Sequence, residues 1–119
     1  MHSDYVNDGI ELLVNNTEIG LNEFASSFLK DSLFGMISAL NTEEYDISSI
    51  EKATIEIEKI NPEHMNRAEI ALTVNEKAIG INEFVSGIMK ESIYGMVKAL
   101  NTEKFGIDAI ENIDIKIEK

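Results

Sequence analysis

Residues 19–43 read IGLNEFASSFLKDSLFGMISALNTE, and residues 79–103 read IGINEFVSGIMKESIYGMVKALNTE. The second stretch repeats the first at an offset of sixty positions, without a gap. The match extends outward on both sides. Ile10, Leu12, Val14 and Asn15 return as Ile70, Leu72, Val74 and Asn75, and Ile55, Ile57, Glu58 and Lys59 return as Ile115, Ile117, Glu118 and Lys119. Aligning residues 10–59 with 70–119 gives 26 identities in 50 positions. Two units are too few for a solenoid, whose repeats stack three or more deep. A duplicated small unit takes the arrangement of a two-fold homodimer instead, in which a patch meets its own copy. Fusion makes that contact independent of concentration. The chain therefore divides into a tail (1–9), a first repeat (10–59), a connector (60–68) holding the only proline, Pro62, and a second repeat (69–119). The two repeats form one compact unit.

The quoted stretch is predicted to be a helix in each copy. Asn22 and Asn82 are suited to cap it, because their side-chain oxygens can accept a free amide of the first turn. Glu23 and Glu83 then lie at the positive end of the helix dipole. The helices should end near Leu40 and Leu100, at the shared Asn-Thr-Glu. At 100° per residue, Phe24, Phe28, Ala25, Met36, Leu29, Leu40, Leu33 and Ile37 cover an arc of about 220°. An arc that wide calls for two neighbours, and a sheet supplies only one. A stripe of small residues lies inside it, Ser32, Gly35 and Ala39, repeated as Ser92, Gly95 and Ala99. Glycine inside a helix costs about 1 kcal/mol relative to alanine, so close approach of another backbone is the expected compensation. The stripes are read as the place where the two helices cross, the other arrangement being glycines turned to the sheet. Phe34 and Tyr94 fall at matched positions on the polar arc.

Strands flank each helix. Ile10, Leu12 and Val14, like Ile70, Leu72 and Val74, recur at period two, the signature of a strand with one buried face. Polar stretches at 15–18 and 75–78 read as turns, and a short second strand, 19–21 or 79–81, closes a hairpin. The closing strand places Ala53, Ile55 and Ile57 inward in the first copy and Ile113, Ile115 and Ile117 inward in the second. Its outward partners are Thr54, Glu56 and Glu58, and Asp114, Lys116 and Glu118. Such alternation implies an antiparallel sheet with one face in water. Each unit thus reads β-β-α-β. Two units give an α+β two-layer sandwich, about six antiparallel strands with two long helices on one face, related by a pseudo-two-fold axis.

Composition narrows the function. Cysteine is absent, which removes disulfides, thiolate metal sites and cysteine nucleophiles and fits a cytoplasmic location. No apolar run approaches the ~18–20 residues that span a bilayer. The net charge of −12 repels nucleic acid and anionic membrane. The densest acidic run, Glu43-Glu44-Tyr45-Asp46, becomes Glu103-Lys104-Phe105-Gly106 in the second copy. A calcium loop shared by both copies would keep its carboxylates, and neither copy has the spacing of one. His2 and His64 have no partners at ligand spacing, and the helical serines lack a glycine elbow. No catalytic, metal or cofactor residue is assigned, and none of these patterns points to an enzyme. What remains is surface. The acidic sheet face, with Glu11, Glu56, Glu58, Asp114 and Glu118, and the aromatic pair Phe34 and Tyr94 are the candidates for an unidentified protein partner. The alternative is a small-molecule or divalent-cation site at the junction of the repeats, in a fused pseudo-dimer that is a monomer or a weak homo-oligomer.

The repeat motif is Val-Asn-x-x-x-Ile-Gly-(Leu/Ile)-Asn-Glu-Phe, then Gly-Met-(Ile/Val)-x-Ala-Leu, then Ile-x-Ile. It resembles a short module of archaeal, especially methanogen, proteins of uncharacterised function. The resemblance covers residues 10–59 and 69–119. The sequence departs from that pattern in lacking its turn glycine, with Asn16 and Glu76 standing there, and in placing Gly20 and Gly80 after the isoleucine. The shared positions are hairpin, cap and core positions, so the resemblance implies a fold and carries no catalytic assignment.

Overall fold

The computed structural model describes residues 9–40, 42–45 and 47–119. The tail 1–8 with His2, and Asp46 of the acidic run, lie outside the described residues. Among the described residues there are six strands and two α-helices: β1 (Ile10–Val14), β2 (Thr17–Glu18), α1 (Glu23–Ser38), β3 (Lys52–Glu58), β4 (Glu69–Val74), β5 (Lys77–Ile79), α2 (Glu83–Lys98) and β6 (Ile113–Glu118). All strand pairs are antiparallel, and the order across the sheet is β2-β1-β6-β3-β4-β5.

Period-two patterning sets the faces. Leu12, Val14, Ile55, Ile57, Ile113, Ile115 and Ile117 are sealed from solvent under the helices, while Glu11, Glu56, Glu58, Lys116 and Glu118 stand on the open side. Leu29, Leu33 and Ile37 of α1, and Met89, Ile93 and Val97 of α2, complete the core. The caps are those the sequence predicts: Asn22 Oδ1 accepts the Ala25 amide at 2.7 Å and Asn82 Oδ1 accepts the Val85 amide at 2.8 Å. Both helices stop two residues short of the predicted ends, with Ala39 and Ala99 as their C-caps.

The hairpins turn earlier than expected. Val14 pairs with Thr17 and Val74 with Lys77, so each loop is two residues long. Asn15 (φ 52°) and Asn16 (φ 66°), and likewise Asn75 (φ 50°) and Glu76 (φ 71°), all adopt left-handed backbone. Two successive positive φ values define the turn that matches strand twist in a tight hairpin. The second strand therefore begins at residue 17 or 77, and Ile19 and Ile79 still reach the core.

The pairing crosses between the repeats. β1 of the first repeat lies against β6 of the second, and β4 of the second against β3 of the first. β3 and β6 meet at the centre, where Ile55 faces Ile115, the residue sixty positions on. The turn asparagines fasten this exchange. Asn15 Nδ2 donates to the Ala109 carbonyl at 2.7 Å, and its Oδ1 accepts the amides of Glu111 (2.8 Å) and Asn112 (3.0 Å). Asn75 Nδ2 donates to the Ser49 carbonyl at 2.8 Å, and its Oδ1 accepts the amides of Glu51 (2.9 Å) and Lys52 (3.1 Å). Each asparagine thus holds the segment that leads into the other repeat's closing strand.

The connector is tied down as well. Met65–Arg67 form a short 3-10 turn, and Ile60, Met65 and Ala68 are buried. Lys90, only 6% exposed, donates its ammonium to the carbonyls of Ala68 (2.9 Å) and Asn66 (3.3 Å). Burying an ammonium is costly unless its donors are met, and here backbone carbonyls meet them.

Candidate functional site

The helix layer is only half covered. Sheet contacts bury the Leu33 side of α1 and the Ile93 side of α2, leaving the opposite sides in solvent. Phe24 is 77% exposed, Phe28 53%, Phe84 75% and Ile88 49%. These large apolar side chains stand as a pair four residues apart on each helix, unlike scattered surface leucines, and apolar clusters of that kind mark binding surfaces. Phe24 and Phe28 stack on each other with ring centroids 5.9 Å apart.

Beside them runs an apolar groove of about 580 Å³ between the helices. Phe24, Ala25, Phe28 and Leu29 line it from α1, and Ser92, Gly95, Met96 and Ala99 from α2, with Glu91 at the edge. The first half of α1 therefore faces the second half of α2, and the helices run antiparallel. The small-residue stripes do not close this gap. Gly35, Ala39, Gly95 and Ala99 are exposed, and Ser32 and Ser92 half-buried. Nothing lies within 4 Å of where a Cβ would stand on Gly35 or Gly95. The expected close helix crossing at Ser32, Gly35 and Ala39 and at Ser92, Gly95 and Ala99 is therefore not formed at its glycines, and Ser92, Gly95 and Ala99 line the open trough instead. With no close neighbour, alanine at both glycines should raise stability by about 0.5–1 kcal/mol each. Thermal unfolding of Gly35→Ala/Gly95→Ala checks this, and a lowered midpoint would show that the stripe is packed after all.

The other sequence candidates lie elsewhere. Phe34 and Tyr94 are half-buried against the core, and the Lys98 ammonium stands 6.0 Å from the Tyr94 ring centroid. Tyr94 and Lys98 also edge a mixed polar cleft of about 610 Å³ formed with Pro62, Thr102, Asp108 and Glu111. Glu11, Glu56, Glu58 and Glu118 are exposed on the open sheet face and Asp114 is half-buried there. That face is less uniformly acidic than its carboxylates suggest. Lys116 stands opposite both Glu11 and Thr54, and Lys52 stands opposite Glu118. Lys52 also binds Glu76 at 2.6 Å. The hydrogen bond and charge of Lys52 hold the Glu76 carboxyl below its usual 4.5, and Glu76 raises the Lys52 ammonium above its usual 10.5. A shallow cavity of about 290 Å³ sits over these paired groups. Glu56 faces Asp114, and Glu58 faces Glu69, which Lys59 contacts at 3.0 Å.

Among the described residues, no three His, Asp or Glu side chains gather as a metal site, and no helix is long and apolar enough to cross a membrane. Phe24 and Phe28 were legible as apolar, but sequence periodicity assigned them to the core. The available signal was the width of the helical arc, too great for a single neighbour. Comparison with family models, curated proteins and solved structures found no match for this chain.

Proposed function

We propose that the chain is a non-enzymatic protein-interaction module that binds its partner along the apolar trough of the helix layer. The observation that carries this reading is the exposure of Phe24 and Phe28 beside an open groove, with Phe84 and Ile88 exposed at the matching positions of α2. In this reading the chain is a fused pseudo-dimer. Its repeats are related by a pseudo-two-fold axis through the facing pair Ile55 and Ile115, and the axis places equivalent aromatic anchors at both ends of the trough. The strand registers support it, because Leu12 opposite Ile115 and Leu72 opposite Ile55 are the same contact sixty residues apart. The sheet face with Glu11, Glu56, Glu58, Asp114 and Glu118 is the competing docking surface, but its lysines interrupt the acidic field. A groove of this volume also suits a small apolar molecule, which keeps a ligand-binding role as the second reading.

Nile red, whose emission rises in apolar surroundings, tests access to the trough. Its emission should rise with the native chain, fall with Phe24→Ser/Phe84→Ser, and persist with Glu56→Lys/Glu58→Lys. A signal indifferent to the phenylalanines would remove the trough from consideration. A protein partner, once in hand, should follow the same pattern, and the reverse pattern would move the interface to the sheet face.

A further inference from the structure

The trough has a length, a relief and a charge, and together they specify an occupant. Along α2 the trough runs from Glu91 to Leu100, about 14 Å at the helical rise, the length of some two and a half turns of a partner helix. One wall projects Phe24 and Phe28, and the other recedes at Gly95 and Ala99. The empty space above Gly95 admits a bulky side chain or the close approach of a backbone. Ridges facing hollows at this spacing are what a helix docked in a groove uses, through side chains at i, i+3, i+4 and i+7.

The charge around the trough is one-sided. Glu23, Asp31, Glu83 and Glu91 are exposed on the two helices, against a single exposed ammonium, Lys98. The other two helical lysines turn away. Lys90 is buried on the carbonyls of Ala68 and Asn66, and the half-buried Lys30 ammonium lies against Gly9. A second copy of this chain would bring a body of charge −12 against another of the same charge. A cationic segment would instead be drawn in and would neutralise the rim.

Resting on the interaction reading above, we infer that the trough receives an amphipathic helix with an apolar stripe and lysine or arginine flanks. Leucine or aromatic anchors of that helix sit beside Phe24 and Phe28 and over Gly95, while its basic flanks meet Asp31 and Glu91.

The probe is a fluorescent Leu/Lys peptide of about 16 residues with leucines at helical spacing. A Leu/Glu peptide of the same pattern and a Leu/Lys peptide of scrambled order are the controls. Anisotropy should show binding of the patterned Leu/Lys peptide at least about tenfold tighter than either control. Binding should weaken as salt rises from about 0.05 to 0.5 M, where screening is strong. Phe24→Ser/Phe84→Ser should weaken it at least tenfold, as loss of aromatic anchors does. Gly95→Leu fills the trough and should also weaken binding tenfold while raising the melting midpoint, so lost binding there cannot come from lost folding. Equal binding of the Leu/Glu peptide overturns the cationic assignment and leaves the interaction reading standing. Loss of all peptide binding with Nile red emission retained overturns the helical occupant. Loss of both removes the trough reading itself. Sedimentation equilibrium showing a dimer that Gly95→Leu dissociates would assign the trough to a second copy and overturn the proposal.

Discussion

Asn15→Ala should cost about 2.5–6.5 kcal/mol of folding stability, and Asn75→Ala about the same. Two effects sum to that figure. Each asparagine makes three hydrogen bonds to backbone groups of the other repeat, and each such bond is worth about 0.5–1.5 kcal/mol net. Each also sits at a positive φ of about 50°, where alanine costs roughly 1–2 kcal/mol and asparagine is tolerated. Glycine separates the two terms. Asn15→Gly loses the same hydrogen bonds without the backbone penalty, so it should retain about 1–2 kcal/mol more than the alanine variant. The two sites hold the entrances of β6 and β3, at opposite ends of the central pair. Six residues of β6 separate them, about 20 Å, so their losses should add. Together they approach the whole 5–15 kcal/mol typical of a domain, and the double variant should be largely unfolded. Urea denaturation with an unchanged slope is the measurement. A loss below about 1 kcal/mol at either site would mean that the hairpin turn holds its place without its grip on the other repeat.

The contrast between Asn15 and Phe24 shows what a sequence of this kind discloses and what it withholds. Period two at Ile55 and Ile57, and again at Ile115 and Ile117, identifies a half-buried strand because the pleat fixes which side chains share a face. Asn22 and Asn82 announce helix starts for an equally local reason. Strand partnership is different. The alternating pattern of β1 suits β3 as well as β6, and only the folded chain shows that β6 is chosen. The early turn is hidden for a related cause, since Glu76 takes a left-handed conformation that its residue type disfavours. Asn75, one position before it, is anchored by the other repeat. At the trough the limit is again one of context. Periodicity gives the apolar arc of α1 from Phe24 round to Ile37, but it does not say how much of that arc a neighbour covers. Leu33 and Phe24 carry the same hydropathic signal, yet one is sealed and the other stands 77% exposed. The glycine stripe carried the same ambiguity, because a gap that lets two helices approach is also a gap that a third element can fill.

The centre of the sheet carries the other large effect. Ile115→Ala should cost about 3–4 kcal/mol, in the upper part of the range for truncating a buried aliphatic residue. The side chain is fully buried, and its strand is hydrogen-bonded on both sides, to β1 at Leu12 and to β3 at Ile55. A backbone fixed from both sides cannot move in to fill the space, so the cavity term persists. Ile115→Val removes one methylene and should cost about 0.5–1.5 kcal/mol. Lys116→Ala, one residue along on the open face, should stay within about 0.5 kcal/mol of the native chain. Ile55→Ala should match Ile115→Ala, because the two residues face each other and each touches the other repeat's first strand. The double variant should then fall short of the sum of the singles by about 0.5–1 kcal/mol, since each single already forfeits the contact between them. Full additivity would place the two side chains in separate environments and would count against an axis passing between them. A cost below 1 kcal/mol for Ile115→Ala would show that the sheet does not close over its centre.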